Sequence, residues 1–125
     1  LLTPAGSLNA GKLQCQLGLA LAQEERNYAD ARLADDAALR LARRHGDKLL
    51  EAQALLLGAY IDREELLLER SLSRCRRALS LVAKSPDPLR ATVAHYLAQE
   101  ALLGAGDFEE GCKHAAQCLR SAEVV

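Results

Sequence analysis

The stretch Ala38–Tyr60 reads ALRLARRHGDKLLEAQALLLGAY, two apolar runs of helical spacing divided by His45, Gly46 and Asp47. Gly46 is free to take the left-handed conformation that closes one helix, and the Asp47 carboxylate can cap the next. The triplet therefore reads as a joint between two helices. Shifting the chain against itself by 40 residues brings this joint and its surroundings into register with other segments. Leu17, Leu57 and Leu97 coincide, as do Leu39, Leu79 and Leu119. Gly18 falls on Gly58 and then on Ala98, and Ala38 falls on Ala78 and then on Cys118. Asp47 meets Asp87, Leu49 meets Leu89, and Glu24 and Glu25 meet Glu64 and Glu65. Large apolar, small and turn-forming residues recur in a fixed order, the mark of a structural repeat.

Each unit holds two helices. Ala94, Leu97, Ala98, Ala101 and Ala105 have the spacing of one buried helical stripe, which GAGDFEEG at 104–111 then breaks. Asp107 can cap the following helix, with Glu110 three residues on, and Asn27 and Asp30 occupy the comparable place in the first unit. In SPDP at 85–88, Asp87 is the cap and Pro88 the first helical residue. The inner turn of the second unit, within DREELLLER at 62–70, contains neither Gly nor Asn and is placed near Arg63–Leu67. Six helices follow, near 10–25, 28–45, 48–62, 66–84, 88–104 and 108–122. They pair as three antiparallel hairpins over residues 8–46, 47–86 and 87–125. The buried stripe is expected to run through Leu17, Leu57 and Leu97. A mid-helix Gly costs about 1 kcal/mol against Ala, so Gly18 and Gly58 imply a partner helix crossing closely at each.

Composition agrees with a single all-α domain. Half of the 125 residues are apolar, mostly Leu and Ala, with few aromatics and neither Trp nor Met. A net charge of −1 provides no general field for nucleic acid or an anionic membrane. No apolar run is long enough to span a bilayer, and LLTPAGSLNAGKL at the start lacks the basic opening of a signal peptide. The missing initiator Met suggests a piece of a longer chain. Cys15, Cys75, Cys112 and Cys118 have no CxxC spacing and read as reduced, core-type thiols. An intracellular setting is expected, cytoplasmic in preference to nuclear.

LLGAGDFEEGCKHAAQCL at 102–119 resembles the latter half of a tetratricopeptide repeat (TPR). It has the Gly-Asp-aromatic turn at Gly106, Asp107 and Phe108, and Gly111 at a small position. ARRHGDKLLEAQALLLGAY is similar to the joint of the long variety, about 40 residues, found in Leu-Gly-Asn-repeat adaptors and rapsyn. Two departures stand out. The usual aromatics of the first helix are mostly missing, and Leu67 and Leu68 stand where Asp107 and Phe108 do. HEAT-type repeats run near the same length and are the alternative; either gives an α-α superhelix, or solenoid.

The resemblance implies a concave groove lined by the first helix of each hairpin. Carried onto this chain, the groove positions are Lys12, Cys15 and Leu19, then Leu55, Ala59 and Asp62, then His95, Gln99 and Leu102. Mostly apolar with polar flanks, they suit a partner peptide or an amphipathic helix. The expected role is a non-enzymatic protein–protein interaction module, a scaffold or adaptor segment. Two alternatives stand beside it. One is a structural middle segment that self-associates, favoured by the Leu66, Leu67, Leu68 run and the apolar end AEVV. The other is phosphate or nucleic-acid binding through a basic stripe of Arg40, Arg43, Arg44, Arg70, Arg74 and Arg77.

Catalytic and metal motifs are weak. His45, His95 and His114 lie in different helices or joints without a nucleophile beside them. Cys112, His114 and Cys118 fall short of the four paired ligands of structural zinc. GSLNAGK lacks the spacing of a phosphate loop. No cofactor or metal is expected.

Overall fold

The computed structural model describes residues 4–82 and His95, and its regular elements are α-helices: α1 (Leu8–Gln23), α2 (Tyr28–His45), α3 (Lys48–Glu64) and α4 (Leu68–Val82). The helices expected over 88–104 and 108–122, and with them Leu97, Gln99, Leu102 and Leu119, lie outside the described residues. No described helix is long and apolar enough to cross a membrane.

Local chemistry sets the helix ends. Ser7 accepts a hydrogen bond from the Ala10 N–H at 3.1 Å, so α1 begins two residues before the expected position 10. Asn27 caps α2 through the Asp30 N–H at 3.2 Å, and Asp47 caps α3 through the Leu50 N–H at 2.9 Å. Gly46 closes α2 in the left-handed region, φ 66°, as the joint reading requires. The two inner turns share a left-handed residue. Arg26 (φ 52°) and Leu66 (φ 64°) are both left-handed. Each is followed by an N–H that reaches back into the preceding helix, Asn27 by six residues to the Leu21 carbonyl at 2.9 Å and Leu67 by five to the Asp62 carbonyl at 2.7 Å. The second turn therefore occupies 65–67, and α4 starts at Leu68 instead of 66.

Such short turns make consecutive helices antiparallel neighbours. α1 packs on α2, α2 on α3 and α3 on α4, and α1 also touches α3. Two helical hairpins result, α1–α2 and α3–α4, set side by side. The seat of α1 is a seam of small residues, Gly11, Gly18 and Ala22, at helical spacing. A Cβ added at Gly18 would stand 2.8 Å from Leu57 Cδ2 and 3.2 Å from the Ala31 carbonyl oxygen, so α2 and α3 both press against that point. One at Gly11 would stand 3.0 Å from Leu50 Cδ2 and 3.1 Å from Leu41 Cβ.

The core is Leu and Ala. Ala22, Ala31, Leu57 and Ile61 join the hairpins, with Tyr28 and Tyr60 partly buried at the margin. Ala52, Leu55, Leu56, Ala59, Cys75, Ala78, Leu79 and Val82 hold α3 to α4. The expected stripe is corrected at Leu17, which is 50% exposed, whereas Leu57 at the same repeat position is 4% exposed. The cause is neighbourhood: Leu57 has the first hairpin beside it, and among the described residues nothing stacks on the corresponding flank of α1.

Candidate functional site

A groove of about 490 Å³ opens between α1 and α3. Its α1 wall carries Lys12, Cys15, Gln16, Leu19 and Gln23, at spacings of three, four and seven residues that keep them on one flank of the helix. The α3 wall carries Leu49, Gln53, Leu56, Tyr60 and Arg63 in the same manner, with Leu57 at the base. Leu56 and Leu57 are buried, Leu19 is 43% exposed, and the guanidinium of Arg63 lies over the Tyr60 ring at 5.0 Å from its centroid. Apolar surface thus forms the floor and amide or cationic groups the rim.

Of the residues named from sequence, Lys12, Cys15 and Leu19 line this groove. Leu55, Ala59 and Asp62 do not: they are 5%, 0% and 0% exposed, with Leu55 and Ala59 packed among the residues that hold α3 to α4. The expectation put the same face of every first helix toward the groove. A groove between two parallel neighbours is instead lined by opposing flanks, so α3 presents Leu56, Tyr60 and Arg63, one residue later and about 100° round the helix. Gln53, Tyr60 and Arg63 could have been found from sequence, because polar or amphipathic residues at i, i+7 and i+10 mark the less buried flank of a Leu- and Ala-rich helix. His95 is buried, while Gln99 and Leu102 lie outside the described residues.

Burial, with a smaller contribution from the Asp35 charge, pushes the Cys15 thiol up to about 11. Burial pushes the Cys75 thiol up to about 12. Both are free thiols, and at neutral pH neither is a thiolate nucleophile.

Of the six arginines read as a possible basic stripe, Arg43, Arg70 and Arg74 pair with carboxylates. Arg74 turns inward, its Nε 3.0 Å from Asp62 Oδ2 and its Nη1 3.7 Å from Asp35 Oδ2. Arg70 reaches Asp62 at 3.7 Å, and Arg43 pairs with Glu51 at 3.1 Å. Arg40, Arg43, Arg44, Arg70 and Arg77 are exposed, and Arg74 is half-buried. Two buried carboxylates cause this. Asp62, fully buried, also lies 2.9 Å from Arg32 Nη2, and Arg32 holds Glu65 too. The Asp62 oxygens receive no aligned hydrogen bond despite these distances, so charge attraction holds them. Burial pushes the Asp35 carboxyl up to about 7, against the lowering effect of Arg74.

Repeat register explains where this network sits. Positions Gly18, Ala22, Ala31 and Ala34 of the first hairpin correspond, 40 residues on, to Gly58, Asp62, Ser71 and Arg74 of the second. Three small apolar sites have become polar, and the buried Ser71 hydroxyl donates to the Ala59 carbonyl at 2.8 Å. Gly58 consequently differs in role from Gly18. A Cβ there would collide with Arg74 Nη1 and stand 2.8 Å from Asp35 Oδ2, so this glycine admits an ion pair and not a crossing helix. His45 Nε2 lies 2.7 Å from the Gly6 carbonyl oxygen, a structural tie between the joint and the segment before α1.

Leu66, Leu67 and Leu68 are all exposed, at 81%, 39% and 43%. The left-handed turn at Leu66 swings the run away from the hairpin core. No protein-family model, curated protein or solved structure matches the chain.

Proposed function

We propose that the chain is a non-enzymatic protein-binding module, a TPR-like α-solenoid segment that takes a partner peptide or helix in the groove between α1 and α3. The observation that carries this reading is the composition of the groove: an open apolar floor with an amide and cationic rim, built on adjacent first helices of two hairpins. The recurrence of left-handed turn residues at Arg26 and Leu66, forty residues apart, supports the repeat reading. Free thiols at Cys15 and Cys75 support an intracellular setting.

The test is a pair of variants. Gln53→Trp fills the groove from a partly exposed position, and Leu33→Arg alters the outer surface of α2, where Leu33 is 68% exposed. Circular dichroism should show both to be as helical as the parent. A protein captured by the parent from extract, then purified, should bind the Leu33→Arg variant equally and the Gln53→Trp variant at least tenfold more weakly, about 1.4 kcal/mol. Equal binding to both variants would contradict the groove reading.

A second reading, assembly through the α1 flank, is favoured by Leu17. Its repeat counterpart Leu57 packs on Gly18 and Ala31, while Leu17 and its neighbour Leu13 are 50% and 53% exposed. If that flank associates, sedimentation should show concentration-dependent oligomers that a Leu13→Ser, Leu17→Ser variant loses. A monomer at all concentrations would dismiss it.

A further inference from the structure

The rim of the groove specifies more than a peptide. Among the described residues that line it, Lys12 and Arg63 are cationic and none is acidic, and Gln16, Gln23 and Gln53 carry side-chain amides on both walls. Because α1 and α3 run parallel, Lys12 and Leu49 mark one end and Gln23 and Arg63 the other. At a rise of about 1.5 Å per residue, the α1 wall is about 17 Å long and the α3 wall about 21 Å. Arg63 also pairs with Glu64 at 3.2 Å. That pair is half-exposed and uses one of the guanidinium nitrogens, so an incoming carboxylate can share the group.

The glutamines distinguish an extended occupant from a helical one. A helix satisfies its own main-chain N–H and C=O groups, whereas an extended segment brings them unpaired. A glutamine amide offers both a donor and an acceptor and so matches the extended chain.

On the footing of the groove reading above, we propose that the occupant is an extended segment whose alternate apolar side chains enter the groove between two acidic residues. Lys12 meets one carboxylate and Arg63 the other. An extended chain covers about 20 Å in six residue steps, so the acidic residues stand six positions apart.

The experiment uses the whole chain and two fluorescently labelled peptides, DTLTLTD and KTLTLTK, whose leucines share a face with their charged ends, with anisotropy as the readout. The acidic peptide should bind about tenfold more tightly at low salt, and the preference should shrink at high salt. Lys12→Gln and Arg63→Gln should each weaken the acidic peptide about threefold and leave the basic one unchanged. Basic-end binding as tight as acidic, with Gln53→Trp abolishing both, would overturn the acidic-bracket proposal and leave the groove reading standing. Tighter binding of a Leu- and Glu-based helical peptide to the same groove would overturn the extended occupant. If neither short peptide bound, or Gln53→Trp changed nothing, the groove reading would fall with the proposal.

Discussion

A methyl group at position 58 would occupy the space through which Arg74 reaches Asp35 and Asp62. Gly58→Ala should therefore displace the guanidinium, take from Asp35 its paired cation and leave Asp62 to Arg32 and Arg70, destabilising the fold by roughly 2 kcal/mol. In an Arg74→Ala background the same change should cost less, since only the Asp35 carboxylate, 2.8 Å from the added carbon, then has to shift. Urea unfolding of the four proteins in this cycle measures the coupling; equal costs in both backgrounds would contradict the role given to Gly58. Sequence alone gave Gly18 and Gly58 one meaning, close helix approach. That meaning fits Gly18, where the Ala31 carbonyl lies 3.2 Å from a would-be Cβ. It failed at Gly58 because the neighbour forty residues beyond Ala34 is Arg74, and a long side chain's destination is a property of the packed structure.

At the scale of elements, α4 is the helix with the weakest start. Leu67, the residue before it, has no side-chain acceptor for the first-turn N–H groups, whereas Ser7, Asn27 and Asp47 cap the other three helices. Leu66 is held at φ 64°, a region unfavourable for an L side chain other than Asn or Asp. Leu66→Gly should raise stability by roughly 0.5–1 kcal/mol, and adding Leu67→Asp should contribute roughly 1 kcal/mol more. Both residues are exposed, so little burial is lost. Thermal unfolding of the single and double variants checks this, and a fall in midpoint would contradict the turn assignment. The helices were legible because caps and periodicity are local: α2 spans 28–45 as expected from Asn27 and Gly46. The α3–α4 turn was legible in place, near Arg63–Leu67, but its start and the exposure of all three leucines were not. A turn without Gly reveals its conformation only through its 6→1 hydrogen bond.

At the scale of the whole molecule, the two hairpins are joined by apolar contact at Leu57 and by charge across Arg32, Asp35, Asp62 and Arg74. The Asp35 carboxyl, pushed up to about 7 chiefly by burial, gives the joint a pH signature. A carboxyl with a folded pKa above its unfolded value keeps its proton in the folded state after the unfolded chain has lost it. Stability should therefore fall as pH rises from about 4 toward 7, by on the order of 3–4 kcal/mol from this group. Asp35→Asn should remove most of that slope while keeping similar stability at acidic pH. Parallel curves for the two proteins would contradict it. The groove was half legible: Lys12, Cys15 and Leu19, named from sequence, line its α1 wall, while the residues named on α3 fall one position before those that line it. Repeat register fixes which residues are equivalent, but a seam between neighbours uses inequivalent flanks.

The groove between α1 and α3 as the working surface is tested most directly by photo-crosslinking. A benzoylphenylalanine at Leu19 or Gln53, on the two walls, is compared with one at Leu33 on the outside of α2. One shared protein adduct is expected from Leu19 and Gln53 and none from Leu33. An adduct from Leu33 alone, or different adducts from the two walls, would contradict it.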